Sequence, residues 1–453
     1  MMPSPTELRR AAAALDPTTR GWAALLGGDL ARMALSFATG ILVARALGPA
    51  EFGVYAVLAA AVGIGGAVAD LGLSNAGVYR VASVWQQDPE LARQRGSSFF
   101  WTRVGCAAAV AAAAMAMARW LAPALGLPPA VGPHQSSTLL ALALAGVAAT
   151  ALSGAVSVLL QATGRFGKIG VVLLTNAGLT LALAAALSVV GRINLVTVLV
   201  VLGIIPSVAA FGVGRRLLAA GFSLAPPPWA RLRDEGAKLL RFAGWFWVAN
   251  ILTAVAGQLD VLLVNRSSTP EIVGAYGLAI GLAGAAEAVN RALYAALLPA
   301  ASALREPAEL RRYLRHAMIR SAAIALLLLP LLPLARPLIT ALYGSEFSAA
   351  APLFRLFLAV VALEVFVAPW TLLALPLERP RWLAGAELVR VIVLAAAAGA
   401  LMPLWGPAGA IAAKLAARTA GAAVLLALLA RHWPSIKERW ASDAETRPPA
   451  AQR

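Results

Sequence analysis

The chain has 453 residues, of which 60% are hydrophobic and 13% charged, whereas a soluble globular chain carries about 25% charged residues. That composition excludes an ordinary soluble enzyme, and the formal net charge of +17, which in a soluble protein would point to nucleic acid, is accounted for by membrane topology instead. One cysteine, Cys106, excludes an intrachain disulfide and a cysteine metal cluster, and the three histidines, His134, His316 and His432, are scattered. The polar N-terminal stretch "MMPSPTELRRAAAALDPTTRG" lacks the apolar core of a cleaved signal peptide. The first span is therefore expected to act as its own insertion signal. Apolar runs long enough to cross a bilayer, about 20 residues as helix, then follow at 22–44, 53–75, 98–121, 137–161, 168–190, 194–214, 239–264, 273–298, 317–341, 350–376, 382–403 and 407–430. Gly, Pro and charges punctuate them.

The basic residues test this map. Most of the 38 Lys and Arg fall in the N-terminus, the even-numbered loops and the C-terminal tail, while the odd-numbered loops hold only Arg45, Arg119, Arg192, Arg266 and Arg336. This is the positive-inside pattern and puts both termini in the cytoplasm. The chain also repeats: "LVARALGPAEFGVY" (42–55) aligns without gaps on "LVNRSSTPEIVGAY" (263–276) at an offset of 221, with identities including Arg45/Arg266, Pro49/Pro270 and Tyr55/Tyr276. Six spans per half means that both halves enter from the same side, a parallel repeat about an axis along the membrane normal. The expected fold is an all-α polytopic membrane protein of about 12 transmembrane helices in two six-helix lobes around a central cleft. Its expected parts are a cytoplasmic segment 1–21, an N-lobe 22–220, a linker 221–238, a C-lobe 239–431 and a polar tail 432–453.

Charges inside the spans are costly in lipid and normally face a bundle interior or a water-filled cavity. Asp29 and Arg32 are three apart in span 1, and Glu287 and Arg291 four apart in span 8, so each pair can neutralise itself on one helix face. Arg32 and Arg291 are the candidates for binding an anionic headgroup, since a guanidinium meets phosphate oxygens in two places at once. Asp29, Asp70, Asp260 and Glu287 are candidates for gating or coupling. Asp70 is aligned with Arg291 by the repeat, which allows a gate closed by that pair or, alternatively, a carboxylate that merely ends span 2. Arg355 and Glu364, Glu387 and Arg390, and Lys414 and Arg418 are further in-span charges, with Arg355 and Arg418 read as snorkelling to an interface. Asn250 stands ready to bond a sugar or another helix. The aromatic run Phe242, Trp245, Phe246 and Trp247 reads as interfacial, or as a surface for sugar stacking. No catalytic residue, cofactor or metal ligand set is expected: an enzyme acting on lipid-linked sugars would need acid/base groups in a substantial outer loop, and His134 stands alone there.

The segments "ARALGPAEFGVYAV…ADLGLSNAGVYR", "QLDVLLV…VGAYGLA…LLPAASAL", "LYGSEFSAAAPLFRLF", "LERPRW" and "PLWGPAGAIAAKLAAR" resemble, in order along nearly the whole chain, the polysaccharide-biosynthesis flippases of the Wzx type. These belong to the multidrug/oligosaccharidyl-lipid/polysaccharide exporter superfamily. The resemblance implies alternating-access transfer of a lipid-linked sugar, typically an undecaprenyl-diphosphate-linked oligosaccharide, from the cytoplasmic to the outer leaflet of the bacterial inner membrane. Its partners would be that glycolipid, membrane lipids, and a polysaccharide polymerase or glycosyltransferases, with no nucleic acid. The alternatives are a cation-coupled drug or metabolite antiporter of the same superfamily and a lipid II flippase, whose relatives usually carry two more C-terminal helices.

Overall fold

A computed structural model describes residues 17–219, 222, 224–302, 307–373 and 380–445, except for the side chains at 17–26, 245, 287–289, 291–292, 294–296, 298–300, 302, 307–308, 380–384 and 435–445. Packing divides the chain into two compact units, Met1–Ala254 and Val255–Arg453.

In the first unit, α1 (Pro17–Asp70) is followed by α2 (Leu73–Trp85), α3 (Pro89–Ala116), α4 (Ala118–Ala124), α5 (Ser136–Ala162), α6 (Phe166–Val189) and α7 (Leu195–Leu218). The sequence predicts a short outer loop between spans 1 and 2; the structure has instead one helical run broken only at Gly48 (φ 69°, ψ 171°). Glycine tolerates that positive φ, and Pro49, with its preset φ and no amide hydrogen to lose, opens the continuing helix. Pro270, its counterpart in the repeat, likewise opens a helix. The second half of α1 ends at Asp70, earlier than the expected 75, because Leu71 (φ 49°) and Gly72 (φ 70°) turn left-handed. Between α4 and α5 the expected plain loop contains a two-residue hairpin, Ala130–Val131 against His134–Gln135. The core of this unit is a cluster around Leu73, Val81, Phe99, Val156, Leu160 and Phe222. Backbones approach closely where side chains are small, as expected for helices packed in lipid: a Cβ on Gly28 would lie 3.2 Å from Gly170 Cα.

The long helix α8 (Trp229–Ser267) carries the chain from the first unit into the second. Its polar first turns are tied to the first unit by Glu235 and Arg80 (2.9 Å). Hydrogen bonds to Asp234 and Glu235 hold the Lys238 ammonium above the ordinary lysine range. The second unit continues with α9 (Pro270–Ser302), α10 (Pro307–Leu328), α11 (Leu331–Tyr343), α12 (Ala350–Leu372), α13 (Pro380–Trp405) and α14 (Pro407–Glu445). Span 9 is bent by 47° between α10 and α11, at Pro330, where an i−4 hydrogen bond is lost. The tail expected to be merely polar is helical through Pro434 to Glu445. Nine helices among the described residues are long and apolar enough to cross a membrane, the bent pair makes ten, and the first of them, Gly27–Asp70, is 44 residues long. Divided at Gly48, the first is long enough for two spans, and α9 contributes a shorter apolar stretch, Pro270–Ala286, where the sequence map has its eighth. The chain is an all-α, multi-pass membrane protein.

Candidate functional site

Each unit carries partly or fully buried charge pairs, and most of the least exposed pairings cross from one helix to another. In the first unit Asp29 and Arg32 meet as their spacing predicts, with Arg32 Nη2 2.7 Å and Nε 2.9 Å from Asp29 Oδ1. Both side chains are 34% exposed, so the pair stands at an open surface of the unit.

Asp70 is held by a partner that spacing does not reveal. The left-handed turn at Leu71–Gly72 brings Ser74 back over the carboxylate, where its hydroxyl donates at 2.5 Å and its amide at 3.4 Å. From α3, Arg103 Nη1 reaches Asp70 Oδ1 at 2.8 Å, with the two side chains 12% and 14% exposed, and also donates to Ser74 Oγ. Arg103 can lie there because Gly154 faces it: a Cβ on Gly154 would come 3.0 Å from Arg103 Nη2. A groove of about 700 Å³ opens beside this cluster, lined by Ser74, Asn75, Tyr79, Ser83, Gln161 and Phe246 among others. Tyr79 stacks on Phe242 at 5.3 Å. Part of the aromatic run thus packs against α2 rather than forming a plain interfacial belt; the Trp245 side chain lies outside the described residues. Asn250 is partly exposed on α8.

In the second unit Asp260 is fully buried (0% exposed). Its Oδ2 accepts from Tyr276 Oη at 2.8 Å and from Lys414 Nζ at 2.7 Å, and Lys414 also donates to the Gly257 carbonyl at 3.2 Å. This triad joins α8, α9 and α14. Glu287 and Arg291, the other candidate pair, have side chains outside the described residues. Arg418 does not snorkel as expected: it forms an ion pair with Glu364 and is 26% exposed. Helix α14 turns it toward α12, where an unpaired buried carboxylate would be costly. Arg355 is exposed, and its Nε donates to the Leu332 carbonyl of α11 at 2.8 Å. Arg390 pairs with Glu387 at 2.5 Å. Sequence reasoning assigns no role to Arg103, Arg390 or Lys414; a basic residue within an apolar span is the signal that marks each of them.

A family profile described as polysaccharide biosynthesis protein matches residues 42–352. The chain belongs to this family. No curated protein matches the sequence. Among solved structures, the polysaccharide biosynthesis chain is similar to an inward-facing multidrug resistance MATE family transporter of the MOP superfamily (TM-score 0.69, 14% identity, 92% of this chain and 96% of that one). It is also similar to the lipid II flippase MurJ in an inward closed conformation (0.66, 11%, 92% and 90%), and to the MATE multidrug transporter DinF-BH (0.65, 18%, 92% and 96%). At these identities the likeness concerns the fold. Family and fold together make this a member of the polysaccharide biosynthesis family with the fold seen in these transporters.

Proposed function

We propose that the protein flips an undecaprenyl-diphosphate-linked oligosaccharide from the cytoplasmic to the outer leaflet of a bacterial inner membrane, by alternating access, for cell-surface polysaccharide synthesis. Both termini lie in the cytoplasm in this reading, and the cytoplasmic loops carry the basic excess. The observation that supports it over a cation-coupled antiporter is the state of the carboxylates. Asp29, Asp70 and Asp260, the three that could trade a proton or Na⁺, each have a basic side chain within 2.7–2.8 Å. A carboxylate already neutralised by a tethered cation is a poor exchange site, whereas guanidiniums in a span interior suit a phosphate-bearing cargo. Arg32 and Arg291 are the arginines that meet the diphosphate. Asp29 and Glu287 hold them between cargo molecules, and Asn250 bonds the sugar. The basic partner Arg103 at Asp70 supports a conformational latch there rather than a proton site.

The test is complementation of a flippase-deficient bacterial strain whose lipid-linked sugar is defined, with membrane insertion measured separately. The wild type restores surface polysaccharide; Arg32→Ala and Arg291→Ala insert but do not, and lysine at either position restores only part, since it keeps the charge but loses the two-point geometry. Normal complementation by both alanine variants would remove these arginines from the reading.

A further inference from the structure

A cavity of about 280 Å³ in the second unit lies among α9, α12, α13 and α14, its polar wall formed by Asn290, Glu364, Thr371, Glu387, Arg390 and Arg418. The ion pairs described above use only part of this wall's hydrogen-bonding capacity. Arg390 Nε, Arg418 Nε, Glu387 Oε2 and Asn290 Oδ1 are buried with no partner among the described residues, and Asn290 is 8% exposed. A buried polar atom left unmet forfeits its hydration without recompense, which is why such atoms are rare. All four belong to residues that line this one cavity, which points to an occupant that meets the polar wall.

Charge decides what that occupant is. Two guanidiniums face two carboxylates, so the wall is formally neutral. A phosphate would meet Glu364 and Glu387, and an organic cation would meet Arg390 and Arg418, each with like-charge repulsion. A hydroxyl group donates and accepts through one atom, which matches a wall that carries both N–H donors and oxygen acceptors. We infer that this cavity receives one sugar ring of the lipid-linked cargo, with Arg390 and Arg418 donating to its hydroxyls and Glu387 and Asn290 accepting from them. The inference rests on the translocation reading and adds to it that sugar and diphosphate are held by separate sites. The volume sets the scale: 280 Å³ is room for about nine waters at ~30 Å³ each, and small-molecule pockets begin at about 300 Å³. A single ring fits, not an oligosaccharide. Gly421 makes the arrangement possible, since a Cβ there would fall 2.6 and 2.7 Å from Arg390 Cγ and Cδ. Its missing side chain is the space through which the Arg390 stem runs.

The experiment titrates the full-length protein in nanodiscs with polyprenyl diphosphate, and with polyprenyl diphosphate bearing N-acetylglucosamine or galactose, followed by native mass spectrometry. The wild type binds at least one glycosylated lipid about tenfold or more tightly than the bare diphosphate, equivalent to about 1.4 kcal/mol. Asn290→Leu gives up an amide oxygen with no described partner and so retains thermal stability. It brings the glycosylated lipid to about the affinity of the bare one, which is itself unchanged, and Gly421→Ala does the same by displacing Arg390. Equal losses for both lipids would put the diphosphate in the cavity and overturn the inference. So would an unchanged sugar-dependent gain in both folded variants, which would leave a hydrated ion cluster only. A wild type that binds the bare diphosphate with no gain from either sugar overturns the sugar site while leaving translocation standing. One that binds none of the lipids overturns both.

Discussion

Replacing Lys414 with methionine removes the charge that neutralises Asp260 while leaving most of the side-chain volume in place. The effect follows from the geometry. The ammonium sits 2.7 Å from a carboxylate that is 0% exposed, and at an effective dielectric of 20 that separation corresponds to about 6 kcal/mol of Coulomb attraction. Desolvation offsets much of it, and breaking a buried pair by removing one partner costs about 3–5 kcal/mol, whereas replacing both partners by apolar groups is often close to neutral. Lys414→Met should therefore be far less stable than Asp260→Leu/Lys414→Met. For a folding unit of this size each kcal/mol moves the melting temperature by about 2–4 °C, so the single variant should melt about 6–20 °C below the wild type. Thermal unfolding of purified protein in one detergent, ranked across wild type, both singles and the double, checks this. A Lys414→Met protein within about 2 °C of wild type, or a double variant no better than the single, would refute the claim that Lys414 serves as the fixed counter-ion of Asp260.

Arg103→Ala should abolish transport in protein that still inserts, because it leaves Asp70 with Ser74 alone; Gly154→Ala, which crowds Arg103 Nη2, should reduce transport less. Complementation corrected for membrane abundance measures both. Gly72→Ala should lower folded yield: a left-handed φ costs a residue with a side chain about 1–2 kcal/mol, and the new Cβ would lie 2.5 Å from the Ala243 carbonyl oxygen. Size-exclusion recovery reports it, and wild-type recovery would contradict the packing of Gly72 on α8. Reporter fusions at Ser223 and Ser435 should read cytoplasmic and one at His134 periplasmic; opposite sides for the two serines would overturn the six-plus-six division.

What the sequence makes legible is what local spacing and composition determine. The Asp29–Arg32 pair is readable because three residues along a helix is a fixed geometry, and the spans because lipid demands continuous apolar helix. The pairs that cross between helices are another matter. Asp70 with Arg103, Asp260 with Lys414 and Glu364 with Arg418 depend on which helix faces neighbour which, and an apolar stripe with one charge in it looks the same whichever neighbour it meets. Arg418 shows the consequence, since its position in span 12 is compatible with snorkelling until α12 supplies a carboxylate. The kink at Gly48 is hidden for a related reason: a Gly-Pro pair marks a break, but whether a loop or a bend follows depends on how the flanking segments pack. The cavity wall is drawn from four helices, and no stretch of sequence shows it whole.

Flipping itself can be measured directly. Purified protein is reconstituted into vesicles containing a fluorescent polyprenyl-diphosphate oligosaccharide, and the fraction of label reached by an external, membrane-impermeant quencher is followed in time. The wild type should render nearly all of the label accessible, against about half in protein-free vesicles, and Arg32→Ala should stay at the protein-free level. Vesicles in which the wild type leaves the inner-leaflet glycolipid in place, yet expels an organic cation in response to a proton or Na⁺ gradient, would contradict glycolipid flipping.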